Sequence, residues 1–380
     1  MLPIEKLDSN FLAQEVQREG LVWYNARRDP FSLHGEEKNE SGEKFCRVPR
    51  ALAATLDVAN PGNVDLNEHT SGIRVRFCTD SPYIAIHATV PGISLMPHMC
   101  LTGSGGFDVY ADGVFAGTVR PDYSKKDRVD GIVFFDDAKE RQIQINLPLY
   151  NPVHGLFVGL DENAALSAPV PYRHTLPMLF YGSSITQGGC ASRPGTFYQA
   201  HLSRWLDSDY RSLGFSGHAK AEPEMAEYVA SQPMSVLIMD YDHNAPTPEY
   251  LEETHERFFL TVREKNPTLP VVFVTKPDML TVRPSSVENL RKRKAIVKKT
   301  YENAKARGDK NVYFVDGESF FPDSIRDACT VDGCHPTDLG FFFMAAGLEG
   351  VLRTVLGETG ALHALSAPAL AASALEGTDA

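Results

Sequence analysis

Between residues 178 and 315 short apolar runs alternate with helical stretches, and this alternation limits the architecture more than any other feature of the chain. Runs at 178–181, 210–213, 236–240, 270–275 and 312–315 have the length and the β-branched or aromatic content of buried strands. Segments near 194–206, 249–264 and 287–306 read as helices between them. Strands joined through helices pair in parallel and are covered on both faces, so an α/β fold with a parallel sheet is expected. Ligands of such open sheets bind beyond the carboxyl ends of the strands, where the connecting loops converge.

Those loops carry chemistry. Gly182-Ser183-Ser184-Ile185-Thr186-Gln187-Gly188 follows the first run and sets Ser184 in a glycine-bounded turn. A serine hydroxyl there is useful when a base takes its proton and donors hold the resulting oxyanion. Asp332-Gly333-Cys334-His335-Pro336 places a carboxylate close enough to an imidazole to grip one ring nitrogen while the other faces a serine. Each residue also has a plain structural reading: a turn serine for Ser184, a hydrogen-bonding histidine before proline for His335, a helix cap for Asp332.

With these residues the chain resembles the SGNH (GDSL-type) hydrolases, serine esterases and acyl hydrolases named for four blocks contributing Ser, Gly, Asn and His. The resemblance implies that Ser184 is the nucleophile and His335 its base, with Asp332 holding His335. It implies an oxyanion hole of the Ser184 N–H, the Gly217 N–H in Leu213-Gly214-Phe215-Ser216-Gly217, and the Asn244 amide in Asp240-Tyr241-Asp242-His243-Asn244-Ala245-Pro246. Ser183 stands where the family has aspartate, and the third block lacks the Gly-x-Asn-Asp form. Gly217 also suits a tight turn, and Asn244, which shares its loop with Asp242 and His243, also suits an Asx-turn. The implied fold is a three-layer α/β/α domain with a five-stranded parallel sheet.

The chain before residue 165 has another texture. Short β-rich runs at 73–77, 83–88, 107–110, 132–135 and 142–147 lie between turn signals, and Asp112-Gly113 suits a hairpin. An antiparallel β-sandwich, jelly-roll-like, is expected. Gly106-Phe107-Asp108-Val109-Tyr110 resembles the Gly-x-Asp-Leu-Tyr signature of a β domain that precedes some SGNH esterases, carbohydrate esterases among them. The expected organisation is a β-sandwich over 1–165, a linker at 166–176, a catalytic domain over 177–360 and a disordered tail at 361–380. Trp23, Tyr24 and Phe107 read as packing residues rather than a sugar platform.

A net charge of −12 opposes nucleic acid or an anionic membrane as the main partner. The basic cluster Arg291-Lys292-Arg293-Lys294 with Lys298-Lys299 fits a solvated helix face. The N-terminus lacks an export signal's basic start and apolar core, and no apolar run approaches the roughly 18 residues of a membrane span, so a cytoplasmic location is expected. The six cysteines are scattered and read as free thiols; Cys329, Cys334 and His335 fall short of four zinc ligands at a recognised spacing. No metal or cofactor is expected, and homo-oligomer formation is left open. The resemblance implies a serine esterase acting on short acyl esters, acetyl esters of oligosaccharides foremost. The alternatives are a lipase-like or thioesterase-like acyl hydrolase, and a carbohydrate-binding protein carrying an inactive SGNH domain.

Overall fold

Uniformly apolar runs become strands buried on both faces, and alternating runs become strands that bury one face. Both kinds occur in the computed structural model, which describes residues 16–38, 42, 44–122, 124–277, 284–359 and 362–363. The chain divides into two units. The first contains the described residues up to Pro171 together with Ser184–Phe197 and Tyr210–His218; the second contains Tyr172–Ser183, Tyr198–Asp209 and the described residues from Ala219 onward. The tail expected at 361–380 lies outside the described residues apart from 362 and 363.

The first unit is an antiparallel sandwich. Its strands are β1 (Leu21–Asn25), β2 (Ser32–His34), β3 (Arg74–Thr79), β4 (Tyr83–Thr89), β5 (Phe107–Ala111), β6 (Val114–Val119), β7 (Arg128–Phe134), β8 (Arg141–Asn146), β9 (Gly155–Asp161) and β10 (Leu166–Ser167). One sheet runs β1–β9–β4–β7, the other β10–β3–β8–β5–β6 with β2 beside β3. Ile84, Ile86, Val129 and Val158 of the first sheet share a core with Val75, Phe77, Val109, Ile143 and Ile145 of the second. Each such side chain, fully buried, contributes about 1.5–3 kcal/mol. Between β5 and β6, Asp112 and Gly113 take φ of 51° and 79°, the left-handed pair a type I′ turn requires. Helices α1 (Arg50–Ala59) and α2 (Asn63–Glu68) precede β3, and α3 (Leu101–Ser104) precedes β5.

Four of these strands, β1, β2, β9 and β10, escape the reading of the sequence. The glycines of β9 dilute its strand signal, yet Gly159 is required, since a Cβ there would meet Leu21 Cδ1 at 2.7 Å and Ala85 Cβ at 2.9 Å. Its partner β1 is missed with it; Trp23 pairs opposite Gly159.

In the chain's α/β part, the five apolar runs become β11 (His174–Gly182), β12 (Ser208–Gly214), β13 (Val236–Asp240), β14 (Val271–Val274) and β15 (Val312–Val315), in the sheet order β12–β11–β13–β14–β15. β11 pairs in parallel with β13, β13 with β14, and β14 with β15. Every residue of β13 and β14 is buried, as expected of strands covered on both faces. The helices are α4 (Ser184–Gln187), α5 (Tyr198–Leu206), α6 (Pro223–Ser231), α7 (Pro248–Lys265), α8 (Pro284–Ala306) and α9 (Asp338–Leu356). Thr247 caps α7 by accepting the Tyr250 N–H, and Thr337 caps α9 by accepting the Gly340 N–H. By length and composition α9 is apolar enough to cross a membrane. Here its Phe341, Met344, Leu348 and Leu352 are buried, and Phe341 stacks on Tyr198 of α5.

The helix expected over 194–206 is broken. A 3-10 turn at Pro194–Thr196 comes first, Phe197 is extended, and α5 starts at Tyr198. The turn is held by tertiary bonds that helix propensity does not register.

Candidate active site

Ser184 begins α4 one residue after β11 and is 8% exposed. Its carbonyl accepts hydrogen bonds from the Gly189 N–H at 2.8 Å and the Tyr150 hydroxyl at 3.1 Å, which fix the turn from both sides. At the far end of α4, Gln187 is fully buried; its Nε2 donates to the Leu149 carbonyl at 3.2 Å and to His69 Nδ1 at 3.1 Å. Burial, assisted by the Arg47 charge, lowers the His69 pKa to about 3, so the ring is neutral and accepts that bond. Gln187 Oε1 accepts the Ser216 N–H at 2.9 Å, tying the Ser184 turn to the loop that ends at Gly217. A Cβ on Gly214 would meet the Gln187 nitrogen at 2.2 Å, so this approach needs glycine. Gly217 itself has φ 70°, in the left-handed region that favours glycine.

The segment after α4 is gripped by the Gly106–Tyr110 signature noted in the sequence. Asp108 is wholly buried; its Oδ2 accepts the Gly195 N–H at 2.7 Å and Arg193 Nη1 at 2.9 Å, and its Oδ1 accepts Asn146 Nδ2 at 2.7 Å. The Tyr110 hydroxyl donates to the Gly195 carbonyl at 3.2 Å. Burial raises the Asp108 pKa against the pull of Asn146, Arg193 and Gly195. A Cβ on Gly195 would lie 2.5 Å from the Tyr110 ring and 2.6 Å from Asp108 Oδ2. These contacts turn the signature's aspartate and tyrosine into a clamp on the loop that follows the serine.

In the second unit, His335 Nδ1 lies 2.7 Å from Asp332 Oδ2, while Asp332 Oδ1 accepts the backbone N–H groups of Cys334 and His335 at 3.0 and 2.8 Å. Partial burial raises the Asp332 pKa, but the bonds from His335 and Cys334 outweigh it and hold the carboxyl below its ordinary range. An ionised Asp332 makes His335 Nδ1 the donor and puts the ring's basic lone pair on Nε2. Lys276, just after β14, donates from Nζ to the Gly333 carbonyl at 3.4 Å, inside the same loop.

Asn244 closes a 3-10 turn at Asp242–Asn244, and its N–H bonds the Tyr241 carbonyl at 2.9 Å. Beside it is an arrangement with no separate signal in the sequence: Ser183 Oγ lies 2.5 Å from His243 Nε2, and His243 Nδ1 lies 2.8 Å from Asp242 Oδ1. Asp242 Oδ2 accepts the Lys276 N–H at 3.1 Å, and Arg293 of α8 donates to the Asp242 carbonyl at 2.6 Å. The structure thus joins His335 to Asp332, and the Ser184 turn to the Gly217 loop. Ser184 and Gly217 belong to the first unit; Asn244, Asp332 and His335 belong to the second.

Residues 175–353 match the GDSL-like Lipase/Acylhydrolase family, and residues 21–166 match the N-terminus of Esterase_SGNH_hydro-type. The chain is an ester hydrolase with a GDSL-like lipase/acylhydrolase domain and the N-terminal domain of an SGNH-type esterase. This ester hydrolase is 27% identical to a GDSL-like lipase from Bacteroides ovatus ATCC 8483, with a TM-score of 0.79 over 89% of this chain and 99% of that one. It has the fold of the salicylyl-acyltransferase SsfX3 from a tetracycline biosynthetic pathway, at 19% identity and TM-score 0.74 over 89% and 98% of the two chains. It has the fold, too, of an acetyl xylan esterase, Est2A, from the rumen bacterium Butyrivibrio proteoclasticus, at 13% identity and TM-score 0.54 over 89% and 99%. No curated protein matches the chain.

Proposed function

We propose that this ester hydrolase is a serine esterase that removes short acyl groups, acetyl foremost, from oligosaccharides through an acyl-enzyme on Ser184. The observation that carries the reading is the 2.7 Å bond from His335 Nδ1 to an ionised Asp332, which makes Nε2 a base. In this mechanism Ser184 Oγ attacks the ester carbonyl as His335 Nε2 takes its proton. The N–H groups of Ser184 and Gly217 and the Asn244 amide hold the tetrahedral oxyanion. His335 then protonates the departing alcohol, the C–O ester bond breaks, and the acyl group stays on Ser184. Water, deprotonated by the same ring, releases the carboxylic acid and restores the serine.

The acyl preference rests on the loops. Gly188-Gly189-Cys190-Ala191-Ser192 and residues 240–247 are built of small or polar side chains, which suit a hydrated sugar ester better than a long acyl chain. The fold shared with an acetyl xylan esterase agrees with this substrate class. The higher TM-score to a salicylyl-acyltransferase favours a second reading, transfer of the acyl group to an acceptor other than water. A panel of acetylated xylan and mannan fragments beside aryl acetate, butyrate and octanoate, with wild type and Ser184→Ala, tests both. Free acetate released faster than any longer acid, and only by wild type, is expected. Preference for octanoate contradicts the acyl assignment, and acyl transfer to an added alcohol in place of acid release favours the second reading.

A further inference from the structure

The mechanism above leaves one buried cluster unused. Ser183 and His243 are consecutive in sequence with Ser184 and Asn244, two residues assigned to the reaction. We propose that Asp242, His243 and Ser183 form a buried positioning relay that sets the peptide between residues 183 and 184 and the backbone carrying Asn244 in one fixed arrangement. This inference rests on the acyl-transfer reading of Ser184, whose N–H is one of its oxyanion donors.

The protons can be assigned. Burial works against the Asp242 charge, but the bonds from His243 and Lys276 hold its pKa below the ordinary range, so Asp242 is a carboxylate and only accepts. His243 Nδ1 therefore carries the hydrogen of the 2.8 Å bond, and Nε2 is an acceptor. The only proton left for the 2.5 Å contact is that of the Ser183 hydroxyl, which donates to Nε2. Burial keeps this ring neutral; the electrostatic influence of Lys276 and His335 adds to that effect, while Asp242 opposes it. Both ends are anchored, since the Ser183 N–H donates to the Asp240 carbonyl at 3.3 Å and Asp242 is held by Lys276 and Arg293. Lys276 also bonds Gly333, which brings the loop of His335 into the same line of hydrogen bonds.

The three side chains repeat the serine–histidine–carboxylate order of a nucleophilic triad, so a rival reading makes Ser183 the nucleophile. Ser183 is fully buried and its hydroxyl points its proton at His243, whereas Ser184 retains some exposure. Misplacing an oxyanion donor by a fraction of an ångström costs turnover more than binding. Ser183→Ala and His243→Ala should each lower kcat by about 10–100-fold with KM nearly unchanged, and the double variant should be little worse than either. His243→Gln, which keeps an acceptor near the Nε2 position, should recover most of the loss; His243→Asn, which keeps only the Asp242 side, should not.

The test pairs these kinetics with imidazole NMR of the full chain and with mass-spectrometric mapping of a fluorophosphonate adduct. The expected result is a neutral, Nδ1-protonated His243 whose Nε2 resonance moves in Ser183→Ala, together with an adduct on Ser184 in both proteins. Wild-type kcat in Ser183→Ala and His243→Ala, or a His243 resonance indifferent to Ser183, overturns the relay and leaves the Ser184 mechanism intact. An adduct on Ser183 overturns both. A wild type that neither turns over esters nor reacts overturns the mechanism, and with it the relay's catalytic purpose, whatever the imidazole spectrum shows.

Discussion

Lowering the pH from 7.5 to 5 should weaken the α/β unit through His255. Its ring is 1% exposed, stacks on Tyr241 with centroids 5.6 Å apart, and bonds Thr300 Oγ1 through Nδ1 at 2.8 Å. Burial is the main cause that lowers its pKa from 6.5 to about 4. Because the folded-state value is depressed, the unfolded chain binds the proton first; the contribution to stability is complete above about pH 6.5 and drains away as the pH falls toward 4. At pH 5 about 1.5 pH units of that window have been crossed, and at about 1.4 kcal/mol per unit the loss is about 2 kcal/mol. Carboxylates titrate mostly below pH 5, and the other histidines are the same in a His255→Gln variant, so their effects cancel in the comparison. Urea unfolding of both proteins at pH 7.5, 6 and 5 gives the measurement. Wild type should lose about 2 kcal/mol more than the variant across the range. Equal losses would refute the argument that this ring is held neutral by its surroundings.

Three further outcomes follow from the site. Asp332→Asn should favour the wrong His335 tautomer and cost up to about ten-thousandfold in kcat; a loss of only a few-fold would show that His335 works without Asp332. Asn244→Ala, followed by turnover of an aryl acetate, should lose roughly a hundred- to a thousandfold while the melting temperature holds, and near-wild-type turnover would remove Asn244 from the oxyanion hole. Asp108→Ala leaves Arg193 and the Gly195 N–H without their buried carboxylate and should cost about 3 kcal/mol in chemical denaturation, with a fall in turnover; an unchanged midpoint would deny the clamp.

The parallel sheet was legible because its strands announce themselves: Val236-Leu237-Ile238-Met239 is apolar throughout, and a strand covered on both faces needs no alternation. The Asp332–His335 pair was legible because the contact is local, three residues apart. Contacts made by folding were not. Ser183 reaches His243 across 60 residues only because β11 and β13 are neighbours, with Gly182 opposite Asp240. The bond from Gly195 to Asp108 spans 87 residues, and it breaks the helix that local propensity extends from 194 to 206. The signature around Asp108 is legible as a family mark, but its partners are set by packing within the first unit. In β9 glycine obscured the strand because its missing side chain makes room for Leu21 and Ala85, a requirement of the neighbouring strands rather than of β9 itself.

Ser184 as the nucleophile is tested most directly by the rate and place of covalent capture. Wild type, Ser184→Ala and His335→Ala are treated with a fluorophosphonate, and the labelled peptide is sequenced by tandem mass spectrometry. The prediction is one adduct per chain, on Ser184 and not on Ser183, absent in Ser184→Ala and formed far more slowly in His335→Ala because the base that activates the hydroxyl is gone. An adduct that persists in Ser184→Ala, or a rate indifferent to His335, would contradict the assignment.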